Sequence, residues 1–152
     1  MAISLKNILG GKKDEYKVVD WEAYPARLLP GLFFINSGIG KAGVDEETAK
    51  GLQAFAGAVP MTDKFEPNTF AKLLSTAEIG IGSILALPFV PNRVAGAALT
   101  GFSTGLITMY LRTPGMTAEG SKIRPSQDGL ALAKDFWLLG IGLSLIVRGN
   151  KR

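Results

Sequence analysis

One glutamate, Glu78, stands about midway along an apolar run from Phe70 to Leu87. An ionised carboxylate in hydrocarbon costs roughly 2.5–3.5 kcal/mol even on lenient insertion scales, so it must be protonated or turn inward to a cation. Arg27, in the first apolar run, is the most reachable cation, while Lys72 lies on Glu78's own segment and points elsewhere; Lys41 closes the first run. Glu78, Arg27 and Lys41 therefore form the candidate polar site. A paired or protonated carboxylate that fixes helix packing is its plainer role, and a proton relay or a ligand site is the alternative.

Spacing around these residues describes packing. Arg27, Gly31, Phe34, Gly38 and Lys41 follow one another at intervals of 4, 3, 4 and 3 residues, which places all five on one helical face. Gly31 and Gly38 let a second helix approach, and Phe34 fills the space between them. Arg27 and Lys41 then lie roughly 21 Å apart along the axis. Glu78 is followed one turn later by Gly82; Ala97, Gly101 and Gly105 form a small-residue ladder, and Gly140 and Gly142 serve the last run. Ser37, Ser75, Thr76, Ser83, Thr100, Ser103 and Thr104 are expected to bond carbonyls one turn back.

The chain has no cysteine and no histidine. Disulfides, thiolate metal sites, iron–sulfur clusters and cysteine nucleophiles are excluded, as are histidine-ligated haem and a Ser–His–Asp set. No redox cofactor is expected on this chain, although quinone or lipid can lie at its surface. Seventeen Lys+Arg against 13 Asp+Glu give a charge of +4, spread over connecting segments without the basic, aromatic-interleaved face of a nucleic-acid binder.

These residues have to be positioned by helices. After a polar arm over residues 1–23, four apolar segments run from Tyr24 to Gly40, Phe70 to Leu87, Val94 to Leu111 and Leu130 to Val147. Each is roughly 17–18 residues, the lower end of what a bilayer needs. A soluble bundle is the competing architecture. The third segment lacks the polar stripe such a bundle requires, Gly and Pro are dense in the runs, and Trp21, Tyr24, Tyr110 and Trp137 mark interfaces. The expected fold is an all-α membrane protein: a four-transmembrane-helix bundle over residues 24–147 with a basic tail at 148–152. In the long second connection, Asp45 caps a short interfacial helix bearing Ala49, Leu52, Phe55, Ala56 and Val59 on one face. No signal peptide is expected. Basic residues divide almost evenly between the two sides, but Arg93, Arg148, Lys151 and Arg152 sit close to the spans, which favours cytoplasmic termini. No internal repeat stands out.

The pattern Arg27-x3-Gly31-x2-Phe34-x3-Gly38-x2-Lys41, with Glu78-x3-Gly82 and Arg93 before Ala95, Ala97 and Ala98, resembles the DoxX-like family of small four-helix membrane proteins. The resemblance runs from Arg27 to Leu111; the fourth span agrees only in being apolar. It implies a multi-pass protein of a prokaryotic plasma membrane, similar to accessory subunits of terminal-oxidase or quinone-linked oxidoreductase systems. The expected function is a non-catalytic structural or assembly subunit of a larger membrane complex. The alternative is a quinone- or small-molecule-binding oxidoreductase component using Glu78 and Arg27. The family supplies no catalytic residues to carry over. The polar arm, Pro30 and the connection from Arg112 to Gly129 depart from its pattern and suggest docking surfaces.

Overall fold

The computed structural model describes residues 19–149, so most of the polar arm and the end of the basic tail lie outside the described residues. Among the described residues the fold is all-helical, with α1 at Tyr24–Lys41, α2 at Glu46–Phe55, α3 at Pro67–Ala86, α4 at Asn92–Arg112, α5 at Leu130–Ala133 and α6 at Asp135–Arg148. Two 3₁₀ turns, Ala56–Ala58 and Thr62–Lys64, follow α2.

Local chemistry sets these boundaries. Proline opens α1 and α3 in their first turns, where a missing N–H breaks no intrahelical bond. The Asp45 side chain accepts from the Thr48 N–H at 2.8 Å, and Glu46 and Glu47 meet the positive end of α2's dipole. Gln53 Nε2 then donates to the carbonyls of Thr62 (2.8 Å) and Phe65 (2.6 Å), tying the descending chain back to α2. The long connection after α4 is held by Tyr110, whose hydroxyl donates to Ile123 O at 2.6 Å, and by an isolated bridge between Thr117 and Pro125. The last apolar segment is not one unbroken helix. It turns at Lys134, where the Trp137 N–H reaches Lys134 O at 2.9 Å.

Three stretches are long and apolar enough to cross a membrane: Pro67–Ala86, Asn92–Arg112 and Leu130–Arg148. The 18-residue α1 is not among them. Arg27, Asn36 and Lys41 lower its average hydropathy, although its outer face carries exposed Leu29, Leu32, Phe33 and Ile39.

The helices pack as two intimate pairs, α1 with α3 and α4 with α6. Glycine permits the approach in both. A Cβ on Gly82 would lie 2.6 Å from Gly31 O, and one on Gly96 would lie 2.6 Å from Gly142 O. The second glycine of each pair faces the residue one turn beyond the first: Gly82 meets Ile35, and Gly142 meets Thr100. This agreement exposes a repeat that inspection of the chain had not suggested. Gly80-Ile81-Gly82-x-x-Leu85 in α3 returns as Gly140-Ile141-Gly142-x-x-Leu145 in α6. On the partner helices the buried set Arg27, Gly31, Phe34 and Gly38 matches Asn92, Gly96, Leu99 and Ser103, with the same intervals. The fold is thus one helix pair used twice. Phe34 and Phe102 join the pairs edge to face at 5.1 Å, within a core that includes Leu85, Ala95, Leu99 and Leu145.

Candidate functional site

Arg27 and Lys41 start from one face of α1 and reach opposite ends of α3. The Gly31–Gly82 contact sets the register, and helical side chains tilt toward their own N-terminus. Arg27 therefore leans toward the end of α3, and Lys41 leans back along α1 toward the level of Glu78. The expected Arg27–Glu78 pairing is corrected accordingly: Glu78 Oε2 meets Lys41 Nζ at 2.9 Å. The same ammonium donates to Ser37 Oγ at 2.6 Å and to Ser37 O at 3.3 Å. Glu78 is the more buried partner, its side chain 8% exposed against 21% for Lys41. Beside it, Ser75 Oγ donates across the helix pair to Gly38 O at 2.7 Å, where a Cβ on Gly38 would lie 2.7 Å from Ser75 O.

Arg27 is almost fully buried, and every N–H of its guanidinium is used. Nε donates to Leu85 O (3.2 Å); Nη1 donates to Val90 O (2.7 Å) and Asn92 Oδ1 (2.9 Å); Nη2 donates to Ile84 O (3.1 Å) and Leu87 O (2.9 Å). Ile84 and Leu85 present last-turn carbonyls that have no intrahelical partner. A cation at the negative end of a helix dipole is favoured by charge as well as by bonding. Arg27 is therefore an architectural clamp on the α3–α4 turn, and no donor is left over for a ligand.

Asn92 extends this clamp, a role that composition alone did not reveal. Its Nδ2 donates to Gly149 O (3.0 Å) and to Asp20 Oδ2 (2.9 Å). Asp20 also receives Arg148 Nε at 2.6 Å and Nη2 at 3.0 Å, and Glu22 takes a further bond from Arg148 at 2.5 Å. The Arg148 hydrogen bonds, with help from the Ala23 N–H and Asn92 and against the opposing effect of burial, hold the Asp20 carboxyl down at about 2. One polar network thus ties the entry to α1, the start of α4 and the end of α6. Its available signal was positional: Asn92 precedes Gly96 by the same four residues that separate Arg27 from Gly31.

Of the expected packing residues, Gly31, Phe34, Gly38 and Gly82 lie between α1 and α3. Ala97, Gly101 and Gly105 do not serve the bundle interior. Ala97 and Gly101 are exposed, and open space surrounds a Cβ at either Gly101 or Gly105. The contact surface of α4 lies one residue away, at Gly96, which meets Gly142; Gly140 also faces open space.

At the Lys41 end, a cavity of about 370 Å³ opens between the end of α1 and the starts of α2 and α3, lined by Lys41, Asp45, Glu46, Asn68, Ala71 and Lys72 among others. A second groove, of about 420 Å³, lies at the clamp end between Ala23 and Ala26 of the first helix region and Trp137, Gly140 and Ser144 of α6. No family model, no curated protein and no solved structure matches this chain.

Proposed function

We propose that the chain is a four-span membrane protein of DoxX-like type, serving as a non-catalytic accessory or assembly subunit beside a larger respiratory complex of a prokaryotic plasma membrane. Both termini are placed in the cytoplasm. The observation that carries the membrane reading is inverted polarity. Arg27 is 2% exposed and Glu78 6%, whereas Leu29 is 71% and Val147 85% exposed. In water this arrangement would leave the charges desolvated and the aliphatic chains wet; in lipid it satisfies both. The same inversion supports α1 as the fourth span, since its charged heads turn inward and its outer face is aliphatic.

Two features favour an assembly role. Arg27 is spent on the fold itself, and Ala97, Gly101 and Gly105 leave α4 with an outward face of small side chains that another helix can approach closely. The expected result is copurification with haem-containing subunits after mild detergent extraction. Isolation as a haem-free species without a stoichiometric partner would overturn the subunit role. Because the sequence has no cysteine, single cysteines placed ahead of α1 and in each connection report sidedness cleanly; labelling that puts the residues before α1 and 42–66 on the same side would reject four spans.

The Lys41–Glu78 pair favours a second reading, a quinone- or small-molecule-binding component, with Arg27 no longer part of the pair. Glu78→Gln separates the two. Loss of activity in an intact assembly supports the binding role, and failure of assembly marks the carboxylate as architectural.

A further inference from the structure

The two helix pairs differ at the ends remote from Arg27. Where the first carries Lys41, Lys72 and Glu78, the second carries Leu106, Leu132 and Leu138 at the matching positions. Leu106 and Leu132 pack against a small hydrophobic cluster of Ala56, Phe70 and Met109, which Val59 also joins. The connection between α1 and α3 thus covers an apolar bundle end. α2 turns most of its apolar face inward, with Ala49 and Ala56 both buried.

The same connection holds two large apolar side chains outward. Met61 is 58% exposed and Phe65 42%. Met61 has φ 75° and ψ −2°, and is the one non-glycine residue with positive φ among the described residues. Glycine takes that conformation without strain, so the turn alone does not call for methionine. Thr62 points inward, its hydroxyl hydrogen shared between Val59 O (3.0 Å) and Ala56 O (3.2 Å). With Gln53 bonded to the carbonyls of both Thr62 and Phe65, the backbone between the two exposed side chains is pinned at each end. Depth identifies what they meet. Ala56 and Val59 share their cluster with Phe70, which lies roughly 4.5 Å inside the start of α3 along its axis. The connection therefore folds back to the level of the first turn of an apolar helix long enough to cross a membrane, and Phe65 precedes that helix by two residues. Apolar side chains exposed at that level face the boundary between headgroups and acyl chains.

We propose that the turn from Met61 to Phe65 is a lipid-contacting wedge. Met61 and Phe65 enter the headgroup–acyl boundary of the leaflet at this end, and the exposed Asp63 and Lys64 between them stay in the headgroup layer. The inference rests on the membrane reading but not on the subunit role, and the experiment separates its failure from that of the membrane reading.

The absence of cysteine allows Met61→Cys, Asp63→Cys, Phe65→Cys and Leu143→Cys each to carry one environment-sensitive fluorophore in the full-length protein. The labelled chain is placed alone in phosphatidylcholine nanodiscs, so that no partner protein can cover the turn. Quenching by aqueous iodide is compared with quenching by phosphatidylcholine carrying a nitroxide, either near the headgroup end of the acyl chain or deep within it. Leu143, exposed on α6, should be quenched by the deep nitroxide and protected from iodide. Labels at 61 and 65 should be quenched by the shallow nitroxide and be several-fold less sensitive to iodide than the label at 63. Two positions labelled separately keep the test open if one substitution impairs folding. A label at 143 that the nitroxide does not reach would overturn the membrane reading and the wedge with it. If 143 responds but 61 or 65 is as open to iodide as 63, the wedge alone fails. Protection from iodide without nitroxide quenching at 61 or 65 also overturns the wedge, since the shield is then protein.

Discussion

Replacing Arg27 by methionine tests the clamp most directly. Methionine keeps much of the aliphatic stem and removes five N–H donors from four carbonyls and the Asn92 amide oxygen. Interhelical hydrogen bonds in membrane proteins average about 0.6 kcal/mol, so five give about 3 kcal/mol. Leaving buried neutral acceptors unpaired costs roughly 1–3 kcal/mol by a separate route, because the remaining groups stay desolvated. The two estimates meet near 3 kcal/mol, a large part of the roughly 5–15 kcal/mol that holds a domain together. Unfolding by titration of SDS into mixed micelles, followed by tryptophan fluorescence, measures the loss. Arg27→Lys should fall in between, since a compact ammonium has three donors and cannot span acceptors arranged around a planar fork. A cost below about 1 kcal/mol for Arg27→Met would refute the clamp, because no plausible relaxation re-satisfies five buried acceptors so cheaply.

Glycine substitutions should separate inner from outer faces. Gly82→Ala and Gly142→Ala place a methyl against backbone at 2.6–3.1 Å and should each destabilise by roughly 1–3 kcal/mol through overpacking, whereas Gly101→Ala meets open space and should be neutral or stabilising in the isolated protein. Equal effects at all three, in the same detergent titration, would contradict the two-pair packing. The Asp20 carboxyl, ordinarily near 3.8, is held at about 2, so its contribution is present above pH 3.8 and is lost as pH falls toward 2. Melting temperature should therefore drop over that window in the parent, and Asp20→Asn, already lacking the carboxylate, should be flatter there; superimposable pH profiles would contradict the Asp20–Arg148 contact.

Periodicity made the helices legible. The 4-3-4-3 face of α1 is the face that packs, and the Asp45 cap and the helix after it lie where turn chemistry places them. Which cation meets Glu78 was not legible. Arg27 and Lys41 share a face, and the choice depends on the register of α1 against α3, which a glycine contact between distant segments fixes. The direction in which the α4 ladder faces was not legible for a similar reason. Ala97, Gly101 and Gly105 have the spacing of a packing seam, but that spacing is equally good one residue earlier, at Gly96, and only the position of α6 decides between them. The repeated Gly-Ile-Gly-x-x-Leu was visible in the sequence, yet six residues of small and aliphatic types carry little weight until both copies are seen to make the same contacts.

That repetition separates two kinds of polar residue that burial alone cannot. Arg27 and Asn92 occupy matching positions, differ in charge, and both bond carbonyls near the end of the helix paired with their own. A polar residue is retained at this position in each pair because exposed carbonyls recur there, so the requirement belongs to the fold. Lys41 and Glu78 have no polar counterparts, although the Gly31–Gly82 crossing one turn from Glu78 is reproduced by Gly96 and Gly142. A feature present in one copy and replaced by leucine in the other is not demanded by the geometry they share. Converting the first pair to leucines should therefore leave helix pairing intact, whereas converting Arg27 should not. The difference between those two losses, measured in one titration, is the quantity that distinguishes a residue holding the bundle together from one the bundle holds in place.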